Sequence, residues 1–194
     1  MSVLDQQPST DGRRRRSEAS RERIVAAMLS LIEDGAITPG AEDVAQRAGV
    51  GLRSVFRHFK DMESLYAEMT LQLGRVYEAA MTPFEATDRR GQLFEAIDRR
   101  IAIYERLLPF KRAADAHRHE SPTIQANHEA LTAMLRVRLQ ALMPPQLADD
   151  AMVFETLDML LSVDCWARLR FEQKLSPEAA RGIIERQVRS LIGD

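Results

Sequence analysis

The stretch Val44-Ala45-Gln46-Arg47-Ala48-Gly49-Val50-Gly51-Leu52-Arg53-Ser54-Val55-Phe56-Arg57-His58-Phe59-Lys60-Asp61 decides how this chain is read. Apolar spacing predicts a short helix from Ala41 to Ala48 with Val44, Ala45 and Ala48 turned inward, their small volumes permitting close packing. Gly49-Val50-Gly51 then breaks that helix, because glycine takes positive φ without steric cost. A second short helix follows at once, from Leu52 to Phe59. Such a unit seats its second helix in the major groove of DNA while the neighbouring helices buttress it. Val44, Val50, Val55 and Phe59 are its expected small core, which leaves Leu52, Arg53, Ser54, Phe56, Arg57 and His58 facing outward. Arginine can take guanine O6 and N7 as a bidentate pair. Serine and histidine suit phosphate oxygens, contacts that position a protein without reading sequence.

Upstream, Ser20 is a candidate N-cap for a helix carrying Ile24, Met28, Leu31 and Ile32 on one side, closed by Gly35. Downstream, Asp61 is placed to cap a longer helix from Met62 to about Thr82, with Leu65, Met69, Leu73, Val76 and Ala80 as its stripe and Pro83 as its end. Further helices are expected over about Arg90–Leu107 (Leu93, Ile97, Ile101, Tyr104), in a shorter piece after Pro109, and over Ile124–Leu142, Ala148–Gln173 and Pro177–Ile192. The last is opened by Ser176 as cap and Pro177 at the first helical position. No strand, internal repeat or low-complexity block is read. The expected fold is all-α with about nine helices: a disordered lead-in over 1–12, a helix-turn-helix head with a basic arm over 13–61, and a helical regulatory and dimerisation domain over 62–194.

Composition agrees with this reading. Hydrophobic residues make up 45% of the 194 and aromatics only 6%, enough for one sizeable core from a helix-favouring palette. Net charge is −2, but residues 12–60 hold ten basic against six acidic side chains, whereas 61–194 hold seventeen against twenty-one. The positive end is local. Arg13, Arg14, Arg15 and Arg16, followed by Arg21 and Arg23, form an arm that either neutralises phosphates or is a solvated tail. One cysteine, Cys165, allows no intrachain disulfide, and no long uncharged apolar run is present, so a reducing cytoplasm is expected.

Residues 20–65 resemble the DNA-binding domain of the TetR family of regulators, most specifically from Ala48-Gly49-Val50 to His58-Phe59. The resemblance implies that the fourth helix joins this head to a ligand cavity. It also implies that the last two long helices form a four-helix interface with a symmetry mate. Leu160 to Pro177, with Trp166, Arg168, Leu169, Arg170 and Phe171, resembles the penultimate helix of some members. Phe56 stands where tyrosine is common, Gly51 where a Ser or Thr cap is usual, and Met62 where a lysine often touches phosphate. Lys60 and the arginine arm are placed to compensate, and Glu42 replaces a basic base-contacting residue of some members. The expected DNA contacts are Arg13–Arg16, Gly51, Leu52, Arg53, Ser54, Phe56, Arg57, His58 and Lys60. A homodimer meeting successive grooves about 34 Å apart calls for a palindromic operator, released when an unidentified small molecule favours splayed heads.

Tyr104, Met134, Phe154, Asp158 and Trp166 are the expected ligand-pocket residues; the plainer reading makes the aromatics and Met134 core. It also pairs Asp158 and Asp164 with Arg168 or Arg170. His117, His119 and His128 with Glu120 invite a metal reading, but residues two apart on a helix diverge, so loop or surface histidines are preferred and no cofactor is expected. Without a Gly-rich phosphate loop, a nucleophile elbow or an HExxH pair, the expectation is no turnover. A rival is a helical interaction module whose head has lost DNA binding.

Overall fold

Helix is the only regular structure among the described residues, 10–79 and 82–193 of a computed structural model. Its helices are α1 (Thr10–Glu33), α2 (Ala41–Ala48), α3 (Leu52–His58), α4 (Met62–Ala79), α5 (Arg89–His117), α6 (Pro122–Leu142), α7 (Ala151–Leu160), α8 (Val163–Ala167) and α9 (Pro177–Ile192). A 3-10 turn (Pro145–Leu147) precedes α7, and a π turn (Arg168–Glu172) follows α8. The all-α expectation holds, with a helix-turn-helix at the N-terminal end and a helical remainder.

Glycine ends the first two helices where backbone geometry requires it. Gly35 has φ +100, and the N–H groups of Gly35 and Ala36 donate to the carbonyls of Ile32 and Leu31, closing α1. Gly49, at φ +65, does the same for α2: its N–H and that of Val50 reach the carbonyls of Gln46 and Ala45. Gly51 needs no such freedom. At φ −71 it is ordinary extended backbone, so the break rests on Gly49 alone. Ile24, Val25, Met28 and Ile32 of α1 are buried with Val44 of α2, Val55 of α3, Phe59 and Leu65 of α4, while Val50 is half-buried. Each fully buried aliphatic side chain contributes about 1.5–3 kcal/mol.

Helix α1 departs from expectation by starting at Thr10 instead of after Ser20, which is buried inside it. The basic run is therefore helix, a state that Arg and Glu favour and that an Arg14–Glu18 pair (3.1 Å, one turn apart) supports. The lead-in expected over 1–12 falls mostly outside the described residues, and residues 10–12 are helical. Asp61 caps α4 as expected, its Oδ1 accepting from the Ser64 N–H at 2.8 Å. This helix is described to Ala79, and Thr82 lies outside it; Ala80, at the end of the expected stripe, lies outside the described residues.

Pro109 does not interrupt α5, contrary to the expected break. A proline inside a helix leaves the carbonyl one turn back without its usual donor. Here Leu107, Leu108 and Phe110 are all buried beside it, and their packing holds the helix through. The opposite correction applies to Ala148–Gln173, which is not one helix. Ser162 adopts ψ 153 and its Oγ accepts from the Cys165 N–H at 3.1 Å, opening α8 anew. The Leu161 carbonyl, deprived of that donor, accepts instead from the Tyr104 hydroxyl at 2.9 Å and from Arg100 Nη1 at 3.3 Å. Helix α9 has its expected bounds and cap, with Ser176 Oγ accepting from the Ala179 N–H at 3.2 Å, and α7 packs against it.

Two compact units result. One lies within Met1–Gln72 and Arg112–Ile124, the other within Leu73–Lys111 and Gln125–Asp194. The sequence division at residues 61 and 62 separates the head from the remainder of the chain by motif, whereas the first compact unit also takes in the first turns of α4 and the corner between α5 and α6.

Candidate nucleic-acid interface and effector cleft

Helix α3 presents two unlike sides. Val55 is 1% exposed and Phe59, just past its end, 2%, whereas Phe56 is 49% exposed and Arg53 and Arg57 are open to solvent. Leu52 and Lys60 are exposed as well, and Ser54 and His58 are half-buried. Gly51 precedes the helix without a side-chain cap; its carbonyl accepts from the Ser54 N–H at 2.7 Å. Arg13, Arg14, Arg15 and Arg16 are exposed near the start of α1. All the expected DNA contacts thus fall within one compact unit. Arg53, Phe56 and Arg57 lie on its solvent side.

Arg21 was grouped with the basic arm by sequence, and the structure uses it otherwise. Its Nη1 donates to the His58 carbonyl at 3.0 Å, its Nη2 pairs with Glu68 Oε2 at 2.5 Å, and its guanidinium lies over the Phe59 ring at 4.4 Å. One side chain of α1 thereby fastens the end of α3 to α4. Arg47 does a similar service between α2 and α1, reaching Ser30 Oγ at 2.6 Å and Asp34 Oδ2 at 2.7 Å. His58 has its Nε2 enclosed without a hydrogen-bond partner. Burial, with the Arg57 and Arg21 charges, pushes its pKa below the usual imidazole value.

In the same unit, Glu63 near the start of α4 accepts from the Thr123 N–H at 3.0 Å and so caps α6, beside Ser121, whose Oγ accepts from the Ile124 N–H at 3.1 Å. Burial works to raise the Glu63 carboxyl, but hydrogen bonds from Thr123 and Ser121 outweigh it and hold the group below its ordinary value. The Tyr66 and His117 rings lie 5.2 Å apart. His119 is exposed and His128 half-buried, and no group of three His, Cys, Asp or Glu arranged to hold a metal occurs among the described residues.

The second unit holds a cleft of about 400 Å3, counting its open mouth. Its apolar walls come from Ile103 of α5 and Met134, Leu135 and Leu142 of α6, with Tyr77 of α4. Arg99, Arg100 and Arg138 complete the lining. Of the expected pocket residues only Met134 lines it. Tyr104 is buried and bonded to the Leu161 carbonyl, and burial raises its pKa to about 12. Trp166 is buried with its Nε1 donating to Glu105 at 2.8 Å. Asp158 pairs with Arg136 at 2.6 Å, and that guanidinium lies 4.9 Å from the Phe154 ring. Asp164 pairs with Lys111 at 2.7 Å. Sequence reading missed the arginines. Arg100 is in helical phase with Leu93, Ile97 and Tyr104, and a charge inside an apolar stripe was the available signal.

Residues 24–69, which span α2, α3 and the turn between them, match the profile of bacterial regulatory proteins of the tetR family. That segment carries the chain's likeness to the tetR family. The chain's fold is similar to that of a transcriptional regulator from Rhodococcus sp. Rha1, with a TM-score of 0.71 at 19% identity, covering 89% of this chain and 95% of that one. It is also similar to NalD, the secondary repressor of the MexAB-OprM multidrug efflux pump in Pseudomonas aeruginosa, with a TM-score of 0.57 at 18% identity over 91% of this chain and 96% of that one. No curated protein matches this chain by sequence. Among its described residues, no helix is long and apolar enough to cross a membrane.

Proposed function

We propose that this chain is a TetR-type transcriptional regulator: a homodimeric, sequence-specific repressor that acts in the cytoplasm on a palindromic operator and leaves it when a small molecule occupies the cleft of the second unit. One observation carries the DNA reading: α3 buries Val55 while holding Arg53, Phe56 and Arg57 in solvent. An aromatic ring held in solvent between two arginines supplies both stacking and hydrogen-bonding groups for a groove. Arg53 and Arg57 then address base edges, Phe56 packs on a sugar or thymine methyl, and Ser54, His58 and Lys60 meet phosphates together with the Gly51–Leu52 backbone and Arg13–Arg16.

Dimerisation draws support from exposed apolar side chains on the packed helices α7 and α9. Met152 and Met159 are 80% and 61% exposed, and Ile183 is 39% exposed. A two-fold mate covering them would place two recognition helices on one face of a duplex. Release is a population shift, in which a ligand binding only the conformation unfit for the operator lowers DNA affinity by linkage. No catalysis is assigned to any site. Selection of bound sequences from random duplex DNA tests the reading. A palindromic consensus, bound less tightly as salt rises, is the expected result, and a purified dimer that selects nothing would leave only the interaction-module alternative.

A further inference from the structure

Residues 151–173 contain neither glycine nor proline, so no strong local signal commands a helix to stop among them. It stops nonetheless. Leu161 takes φ −93 and ψ 10, Ser162 takes ψ 153, and α8 begins one residue later. The two rods are anchored separately. Helix α7 is tied to α6 by Arg136, which pairs with Glu155 and with Asp158 at 2.6 Å. Helix α8 is tied to α5 by the Lys111 and Asp164 pair at 2.7 Å and by Glu105, which accepts from Trp166 Nε1 at 2.8 Å.

Two sets of hydrogen bonds compete at the break. In a continuous helix the Leu161 carbonyl would accept from the Cys165 N–H. In the bent one that N–H donates to Ser162 Oγ at 3.1 Å, and the Ser162 hydroxyl donates to the Met159 carbonyl at 2.8 Å. The Leu161 carbonyl then accepts from the Tyr104 hydroxyl at 2.9 Å and from Arg100 Nη1 at 3.3 Å. Tyr104 is 2% exposed, so straightening the chain would strand its hydroxyl away from water, a cost that favours the bend.

We propose that the peptide joining Leu161 to Ser162 is a two-state hinge, held bent by Tyr104 and Arg100 of α5 and running straight from α7 into α8 when they let go. Met152 and Met159 precede the hinge and α9 follows it, so its state turns the exposed stripe of α7 relative to α9. That consequence for assembly rests on the reading of the stripe as a dimer face; the hinge itself does not.

Val163→Pro locks the bent form. Residue 163 opens α8, where the missing N–H of proline costs little, and Ser162 already has the extended backbone that a following proline demands. In a straight helix the same proline would clash with the Met159 carbonyl. Trp166, the single tryptophan of the chain, stands three residues further on and reports the state by its fluorescence. The full-length protein is compared in four forms: native, Val163→Pro, Tyr104→Phe with Ser162→Ala, and all three changes together. Val163→Pro should keep the native emission and thermal midpoint. Tyr104→Phe with Ser162→Ala should move the emission to the red and raise its quenching by acrylamide, because straightening turns Trp166 off Glu105. Adding Val163→Pro should restore the native spectrum. Loss of native emission in Val163→Pro alone, or an unchanged spectrum in the double variant, overturns the hinge. A red shift that proline does not reverse is plain loosening of the core and overturns it as well. If the double variant does not fold, Tyr104→Phe with and without Val163→Pro gives the same readings. Sedimentation in parallel reads assembly: the double variant should lose self-association and the proline should return it. Straightening without a change in mass refutes the link to assembly. A native chain that sediments as a monomer refutes the dimer reading, and Trp166 still decides the hinge.

Discussion

Arg21 lies over the Phe59 ring at 4.4 Å while its Nη1 holds the His58 carbonyl at 3.0 Å, so a residue of the first helix closes the end of the recognition helix. The Phe59 N–H already donates to Val55 as the helix ends, and the His58 carbonyl, beyond the last intrahelical donor, takes its partner from α1. Arg21→Ala removes the stacking, the carbonyl bond and the Glu68 pair together. We expect a loss of about 1–3 kcal/mol in stability, read by urea denaturation, from a cation–π contact and a charge-assisted bond at a part-exposed site. Operator affinity should fall by a similar factor for every sequence, because the helix loses its seat and not its reading groups. Loss of discrimination between operators without loss of stability would contradict this role.

Arg53→Ala and Arg57→Ala should behave in the opposite manner. Both side chains are exposed, so the thermal midpoint should barely move. Each replacement should cost about 1–3 kcal/mol with the selected operator and relax specificity at one base position. Replacing Arg13–Arg16 together by Gln should leave the consensus unchanged and flatten the salt dependence, by a slope of about one for each phosphate no longer neutralised. Fluorescence anisotropy over a salt series separates the two classes. Identical salt slopes before and after the quadruple change would remove Arg13–Arg16 from the interface.

The recognition unit was legible because its determinants are local. Gly49 can be read as a helix stop from sequence, since only its left-handed backbone lets two N–H groups fold back on α2, and Val44, Val55 and Phe59 fall at helical spacing. Helix α9 was legible for the same reason, through Ser176 and Pro177. What sequence misplaced depends on contacts far along the chain. Pro109 signals a stop locally, but Leu107, Leu108 and Phe110 are buried around it and override that signal. Ser162 gives no stronger local sign than Ser20, yet one opens a helix and the other is buried inside one. The difference is that Tyr104 and Arg100 take up the carbonyl freed at Leu161, and both come from a helix distant in sequence. The cleft of the second unit was less legible for a related reason: aromatic residues, Met134 and Asp158 were expected to line a pocket, whereas its polar lining is arginine.

His58 gives the head a pH dependence whose sign follows from its environment. Burial and the nearby Arg57 and Arg21 charges hold its folded pKa below the unfolded value of about 6.5. Above that value both states are neutral and the group contributes no slope. As pH falls through it, the unfolded chain takes up a proton that the folded chain resists, so stability drops until the folded imidazole also titrates. Urea midpoints between about pH 7.5 and 5.5 should therefore decline in the native protein, and His58→Gln should flatten the decline. Glu63, whose carboxyl is held low by Thr123 and Ser121, acts only at lower pH: its contribution is present above the unfolded carboxyl value of about 4.3 and is lost as pH falls through the folded one. A midpoint that rises on acidification would reverse the assignment for His58.

The exposed methionines of α7 make the dimer testable without DNA. Met152 and Met159 are seven residues apart on one helix, two turns along the same stripe, and α9 packs beside it with Ile183 in solvent. A two-fold mate on this stripe would bury that apolar area on both copies at once. A charge at its centre should be intolerable there, because a lysine would be desolvated twice without a partner. Met159→Lys should therefore sediment near the monomer mass of 22.0 kDa at concentrations where the native chain sediments at twice that. Its operator affinity should fall toward that of a single half-site, while each head keeps its fold. Val137→Lys supplies the contrast: it is even more exposed than Met159, at 72%, but lies on α6, outside the expected interface, and should leave both mass and DNA binding unchanged. If Val137→Lys dissociates the protein and Met159→Lys does not, the mate sits on α6, and the symmetry axis, with the spacing of the two half-sites, must be redrawn from that helix.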